Sequence, residues 1–191
     1  MSDAHQRLRA DTRQWHRGVE SLPLFKKLLC AHITVEDLRN TLTVLYQFYA
    51  QIEPSLQAHF PEQSALPYQA KTAALAADLA ILGASLPPLA TSLAISDRAM
   101  AWGARYVLEG AVLGGNLIAR QLEKNLSLTA GTLSFYRENP AIEPGWTATM
   151  AHLASELQTP EQLSHASTTA CDLFALLYNL ASNYPDHSAA Q

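Results

Sequence analysis

Apolar residues return every three to four positions along almost the whole chain, and the strict alternation of a half-buried strand bounded by turn residues is absent. The pattern predicts a first helix from about Ala4 to Glu20, with Leu8, Trp15 and Val19 as its apolar stripe. It stops near Ser21, because Pro23 disfavours helix in the residue before it. A short helix follows from about Leu24 to Ala31. Thr34 then caps a long helix, with Asp37 at the capping-box position and Leu38, Leu42, Leu45, Phe48, Tyr49 and Ile52 turned inward. Pro54 is expected to kink that helix or to end its first part. An Ala-rich helix spans Tyr68 to Leu82, closed by Gly83 and the Pro87–Pro88 pair. Ser96–Asp97 opens a helix expected to run to about Leu126. A loop with a short helix covers Gly131 to Pro144, and a further helix covers Gly145 to Leu157. Thr159–Pro160–Glu161–Gln162 combines a Thr cap, a first-turn Pro and a capping-box Gln. The helix it opens runs to about Ser182. Residues 1–3 and 184–191 are expected to fray. The fold class is all-α, a single domain over 1–191 built as a bundle of seven or eight helices.

Composition narrows the function classes. With 13 Lys and Arg against 17 Asp and Glu in 191 residues, the formal net charge is 13 − 17 = −4. That balance gives no basic footprint for nucleic acid. Charged residues make up only 16% and apolar residues 48%. The charged share is well below the usual quarter, which implies an ample core or apolar surface that holds a ligand. The most apolar stretch, Ala73 to Ile95, is broken by Asp78, Gly83, Pro87 and Pro88, so no membrane span is expected. The polar, Arg-rich N-terminus has no apolar signal region, so the expectation is a cytoplasmic protein. Cys30 and Cys171 lack metal or redox spacing and are expected to be buried free thiols.

Two helices carry candidate chemistry. Arg7, Arg9, Arg13 and Arg17 crowd the first helix. At 100° per residue, Arg9, Arg13, His16 and Glu20 fall within about 60° of one another. His16 is thus expected at the junction of a basic stripe and a core-facing one, half-buried. Such a face is either an Arg-laced solvent face or an imidazole offered to a metal beside a cradle for an anion. The second helix contains Gly103, Gly110, Gly114 and Gly115. Each costs about 1 kcal/mol against Ala, so the four cost about 4 kcal/mol out of a typical stability of about 5–15 kcal/mol. Gly103, Gly110 and Gly114 share a face within about 40°. That face admits a close helix neighbour, a kink, or a flat ligand. His16–Glu20, His32–Glu36 and His152–Glu156 are three HxxxE pairs, but no HxxxH or ExxH occurs, which speaks against a di-iron bundle. P-loop, GxSxG and HExxH motifs are also absent.

The stretch Leu8-Arg9-Ala10-Asp11-Thr12-Arg13-Gln14-Trp15-His16-Arg17-Gly18-Val19-Glu20 resembles the proximal helix of haem oxygenases. Tyr106-Val107-Leu108-Glu109-Gly110-Ala111-Val112-Leu113-Gly114-Gly115 resembles their glycine-rich distal helix, and Leu45 to Glu53 the long helix between them. The order and spacing extend from about Leu8 to Tyr178. The resemblance is nearest to bacterial members found beside bacteriophytochromes.

The resemblance implies that haem b is both substrate and cofactor, held between the two helices. Its porphyrin is opened to biliverdin, with release of CO and ferrous iron, using O2 and an external electron donor of reductase or ferredoxin type. It makes His16 the iron ligand, with Glu20 supporting it by a hydrogen bond. Gly110 and Gly114 become the distal glycines that let the backbone lie close to the haem. Arg9 and Arg13 are matched to the propionates, and Thr12, Ala111, Gly115 and Phe174 to the haem surround. The chain departs from the family at three places. Ala111 stands where many members carry an Asp or Ser that orders a proton-delivering water network, leaving Tyr106, Asn116 and waters as substitutes. Trp146 to Met150 has none of the basic residues that animal members place there, so the haem could sit rotated in its plane. Aromatic wall positions on the last helix are met only by Phe174 and Tyr178. A bacteriophytochrome as acceptor of the biliverdin follows by analogy alone. Beside this reading stand a haem binder or carrier of the same fold without catalysis, motivated by Ala111, and an iron-free helical binding module.

Overall fold

Local signals start and stop the helices largely where the sequence places them. A computed structural model describes residues 2–111, 113–129, 131–137 and 142–185, the side chains of 142–144 excepted. Its regular elements are α1 (Asp3–Ser21), α2 (Pro23–Lys26) with a 3-10 turn (Lys27–Leu29), α3 (Val35–His59), α4 (Thr72–Ile81), α5 (Arg98–Gly110), α6 (Gly115–Asn125), α7 (Ser134–Arg137), α8 (Ile142–Glu156) and α9 (Pro160–Ser182). Residues 2 and 3 do not fray: the Ser2 side chain accepts from the His5 N–H and caps α1. Thr34 and Asp37 form the expected capping box, as do Thr159 and Gln162. Asp97 caps α5 by accepting the Met100 N–H at 2.8 Å. Gly83 closes α4 with φ +72°. Its N–H donates to Ala80 O and that of Ala84 to Leu79 O, a Schellman closure that an L side chain would strain.

Four boundaries differ from the pattern, each for a tertiary or backbone reason. The helix expected from Asp97 to Leu126 is two helices, separated by a turn after Gly110, where low glycine propensity leaves the helix little to hold it. Helix α4 begins at Thr72 and not at Tyr68. Glu53 of α3, itself buried, accepts the Lys71 and Thr72 N–H groups at 2.6 and 3.0 Å and the Tyr68 hydroxyl at 2.9 Å, which sets the start. Pro54 neither ends nor splits α3. It is exposed, and the buried Leu56 and Phe60 keep the chain on its path beyond it. Helix α8 starts at Ile142, earlier than Gly145, while residues 138–141 lie outside the described part. The free thiols also depart from expectation: Cys30 is exposed after the 3-10 turn, and Cys171 is half-buried.

Asp37 also ties the α2 turn to α3, accepting from Lys27 Nζ at 2.7 Å. Burial raises its carboxyl, but the Lys27 ammonium and the Thr34 hydroxyl and N–H outweigh that and hold it below the usual carboxylate range. A carboxylate lowered in the folded state stabilises fully above its unfolded value of about 3.9, and that contribution fades as pH falls through the folded value. Asp37→Asn should therefore lower stability near neutral pH by about 1–2 kcal/mol and flatten the loss of stability below about pH 4, as read by urea titrations across pH.

Helix α9 organises the packing. Helices α1 and α5 both lie along it, and both also meet α8, in preference to packing closely on one another. Small residues make the α5–α9 approach possible: a Cβ on Gly103 would fall 2.1 Å from Ala166 O. Helix α3 runs behind, with Leu38, Leu42, Phe48, Tyr49, Ile52 and Leu56 buried against α4, α5 and α9. Helix α1 and the end of α5 are thus brought to neighbouring flanks of α9, with α8 meeting both. No helix of the described residues is long and apolar enough to cross a membrane.

Candidate functional site

His16 is not half-buried, as the wheel suggests. Its side chain is 55% exposed, and its ring meets Phe174 of α9 edge-on with centroids 5.6 Å apart. Nδ1 lies 3.2 Å from Glu20 Oε2, one turn along α1. The exposed Glu20 carboxylate thus stands within ion-pair distance of Nδ1, and Nε2 has no partner among the described residues. Trp15, counted with the core stripe, is 39% exposed and stacks edge-on with Tyr178 at the rim. Tyr178 of α9 lies against Gly18 of α1, so Trp15 meets only the outer edge of that ring.

The arginines divide by partner. Arg7 pairs with Asp11, Arg39 with Glu36, Arg98 with Glu156, Arg105 with Glu109 and Arg137 with Glu123. Arg9, Arg13 and Arg17, all exposed on α1, have no ion pair among the described residues. Arg9 still acts at a distance on His5 and Tyr106. Thr12 is buried, and its hydroxyl donates to Leu8 O at 2.7 Å, so it stands beside Tyr106 without a free donor.

The glycines separate into two kinds. Gly103 and Gly115 are packing residues: a Cβ would fall 2.1 Å from Ala166 O and 2.7 Å from Tyr136 O respectively. Packing against Tyr136 of α7 therefore accounts for the glycine at 115 without a ligand. Gly110 and Gly114 are different. A Cβ on Gly110 meets only the edge of Trp146 at an ordinary 3.6 Å, and on Gly114 nothing within 4 Å. Gly114 has φ −84°, which any residue adopts. Among the described residues, neither packing nor backbone conformation calls for glycine at these two positions. Beside them Leu113 and Leu117 are 42% and 67% exposed, an apolar rim open to solvent.

Helices α1 and α5 meet through the N-terminal half of α1. Thr12 and His5 face Tyr106. His16 stands one turn after Thr12, and Gly110 one turn after Tyr106. Burial raises the Tyr106 phenol above its ordinary value, with the Thr12 hydroxyl and the Arg9 charge partly offsetting it, so at neutral pH it is a protonated donor. Ala111 is exposed at the C-cap of α5, and Asn116 is exposed in the first turn of α6. Glu109 gives no acid in place of Ala111, because Arg105 holds it at 2.8 Å. Among the described residues, no three His, Cys, Asp or Glu gather to hold a metal ion. A lone imidazole, a flat glycine face and unpaired arginines instead fit an iron that brings its own planar ligand with acidic arms. A depression lined by Leu126, Thr129, Leu133 and Arg137 is spanned by the Arg137–Glu123 pair and has no such donor set.

Sequence reasoning missed His5 and Trp146. His5 could have been found, since three turns of helix put it on the His16 face. Trp146 could not, because its place beside Gly110 depends on how α8 crosses.

A family model described as "Heme oxygenase" matches residues 2–182. A curated heme oxygenase from Xanthomonas campestris pv. campestris is 36% identical over 115 residues, covering 56% of this chain and 65% of its own length. The match thus spans just under two thirds of that relative. Among solved structures, the NO- and CO-bound heme oxygenase of Neisseria meningitidis superposes with TM-score 0.72 at 22% identity, covering 98% of both chains. The heme oxygenase of Leptospira interrogans gives 0.73 at 18%, covering 95% of this chain and 99% of that one. Heme oxygenase-1 of the cyanobacterium Synechocystis, solved in complex with heme, gives 0.73 at 18%, covering 95% and 91%. At these identities the superpositions establish the all-α fold.

Proposed function

The chain belongs to the haem oxygenase family, and we propose that it acts as one. In this reading residues 1–191 form a single domain that binds haem b between α1 and the α5–α6 turn. It converts the haem to biliverdin, CO and ferrous iron with O2 and electrons from a reductase or ferredoxin-type donor. When bound, haem supplies the iron that activates O2 against its own macrocycle.

The protein's part is to bind, orient and exclude water. His16 Nε2 is the iron ligand, and Glu20 fixes the imidazole by accepting from Nδ1–H. Gly110 and Gly114 let backbone stand where side chains would hold the macrocycle off. Arg9 and Arg13 are the cations for the propionates, and Phe174 packs behind the ligand ring. Tyr106 is a proton-holding donor beside Thr12, and Asn116 an exposed one on α6, in place of the acid that Ala111 lacks. The observation that carries the reading is Gly114, a glycine that no atom of the described residues and no dihedral requires. Biliverdin delivery to a bacteriophytochrome rests on analogy with related members.

Titrating the chain with haem should give a saturable one-to-one complex with a Soret band. Ascorbate or a ferredoxin system with O2 should then convert it to a verdin absorbing in the red. Absence of saturable uptake would end the reading. Ala111 favours a second one, a haem binder without turnover, and a normal complex that yields no biliverdin after many electron equivalents would select it.

A further inference from the structure

Trp146 stands where α1, α5 and α8 meet. Its ring lies 5.9 Å from that of His5, nearly perpendicular at 83°, and 5.9 Å from that of Tyr106, tilted by 40°. His5 and Tyr106 are themselves 6.0 Å apart at 66°. The far edge of the indole lies beside Gly110, 3.6 Å from where a Cβ would be. Tyr106 also faces Thr12, which precedes His16 by four residues, about 6 Å along the helix axis. Three rings from three helices therefore gather beside Gly110, the glycine read above as facing the macrocycle.

The three rings hold no guanidinium; Arg9, one turn after His5 on α1, flanks them closely enough for its charge to act on His5 and Tyr106, and Arg13 follows one turn on. A porphyrin has edges of two kinds. The edge bearing only methyl and vinyl groups packs well on aromatic rings, and the edge bearing carboxylates is drawn to guanidinium groups. We propose that Trp146, backed by His5 and Tyr106, is a specificity-determining residue that sets the in-plane seating of the haem and hence the meso carbon that is cut. The rings do the sorting that basic residues on this stretch of α8 would otherwise do. The inference rests on haem being the substrate. Removing the indole opens space beside Gly110 into which the macrocycle turns, while the bond to His16 and the glycine face stay as they are.

The test uses the full chain loaded with haem as its ferric cyanide complex, in wild-type, Trp146→Phe and Trp146→Ala forms. Proton NMR of the shifted haem methyl groups reads seating populations without turnover, and chromatography of the biliverdin isomers reads the cut. Wild type and W146F should share one dominant seating. W146A should raise a second seating by about tenfold, the scale of one lost ring contact, with a matching shift in isomer ratio. If W146A fails to fold, Trp146→Leu keeps bulk without the ring and should show the same redistribution. A folded W146A or W146L with the wild-type methyl pattern and isomer ratio overturns the proposal. Failure of the wild type to take up haem would overturn the functional reading instead, a different result from haem that binds and does not turn.

Discussion

Replacing His16 with Ala should leave the helical scaffold standing and remove the proposed iron ligand. The side chain is 55% exposed, so truncation opens no cavity. Its contact with Glu20 is an exposed i, i+4 pair worth at most a few tenths of a kcal/mol, and its edge contact with Phe174 is worth about 1 kcal/mol. Ala also gains helix propensity. Thermal melting should therefore shift by less than about 4 °C. Haem uptake, by contrast, should weaken by about tenfold or more, the Soret and ligand-field bands of a histidine-bound haem should vanish, and turnover should fall below detection. A His16→Ala protein with an unchanged axial-ligand spectrum would show that another side chain binds the iron.

The second large effect separates glycines that look alike in sequence. Gly103→Ala should destabilise the fold strongly. The new Cβ would sit 2.1 Å from Ala166 O, a backbone atom that moves only with α9. Overpacking of this kind costs about 3 kcal/mol or more, against about 1 kcal/mol gained in helix propensity, so melting should drop by roughly 4–8 °C. Gly114→Leu should do the reverse. With no atom within 4 Å and a φ of −84°, the larger side chain is accommodated and stability moves by less than about 1 kcal/mol. Its bulk stands on the proposed haem face, so haem affinity should fall by about a hundredfold. Calorimetry and haem titration on the two variants read both quantities. Equal losses of stability, or undiminished haem binding by Gly114→Leu, would contradict the division.

Much of the scaffold is legible along the chain because its signals are local. The caps at Thr34, Asp97 and Thr159 and the closure at Gly83 each involve residues within five positions of one another. The errors lie where a distant residue intervenes. Glu53 delays α4 by holding its first N–H groups across eighteen residues, and no pattern within residues 68–82 announces that. The helix expected through Gly115 breaks, and Tyr136 of α7 fills the side of Gly115 that the wheel leaves open. The candidate site divides in the same way. His16, Glu20 and the arginines share a face by helical period alone, whereas their exposure and pairing depend on what α9 and α8 cover.

The amino-acid sequence by itself determined the helical class, most caps, the face shared by Arg9, Arg13, His16 and Glu20, and the presence of glycines too costly to be idle. All of these follow from the 3.6-residue period and from hydrogen bonds between near neighbours, which the order of residues alone specifies. Only the tertiary structure decided which glycines meet protein and which face open space, which arginines find an acid, and that His5, Tyr106 and Trp146 converge. Those outcomes depend on the distance and crossing of helices far apart in the chain. Contact between such surfaces is a property of how whole helices interlock, and no local window of residues contains it.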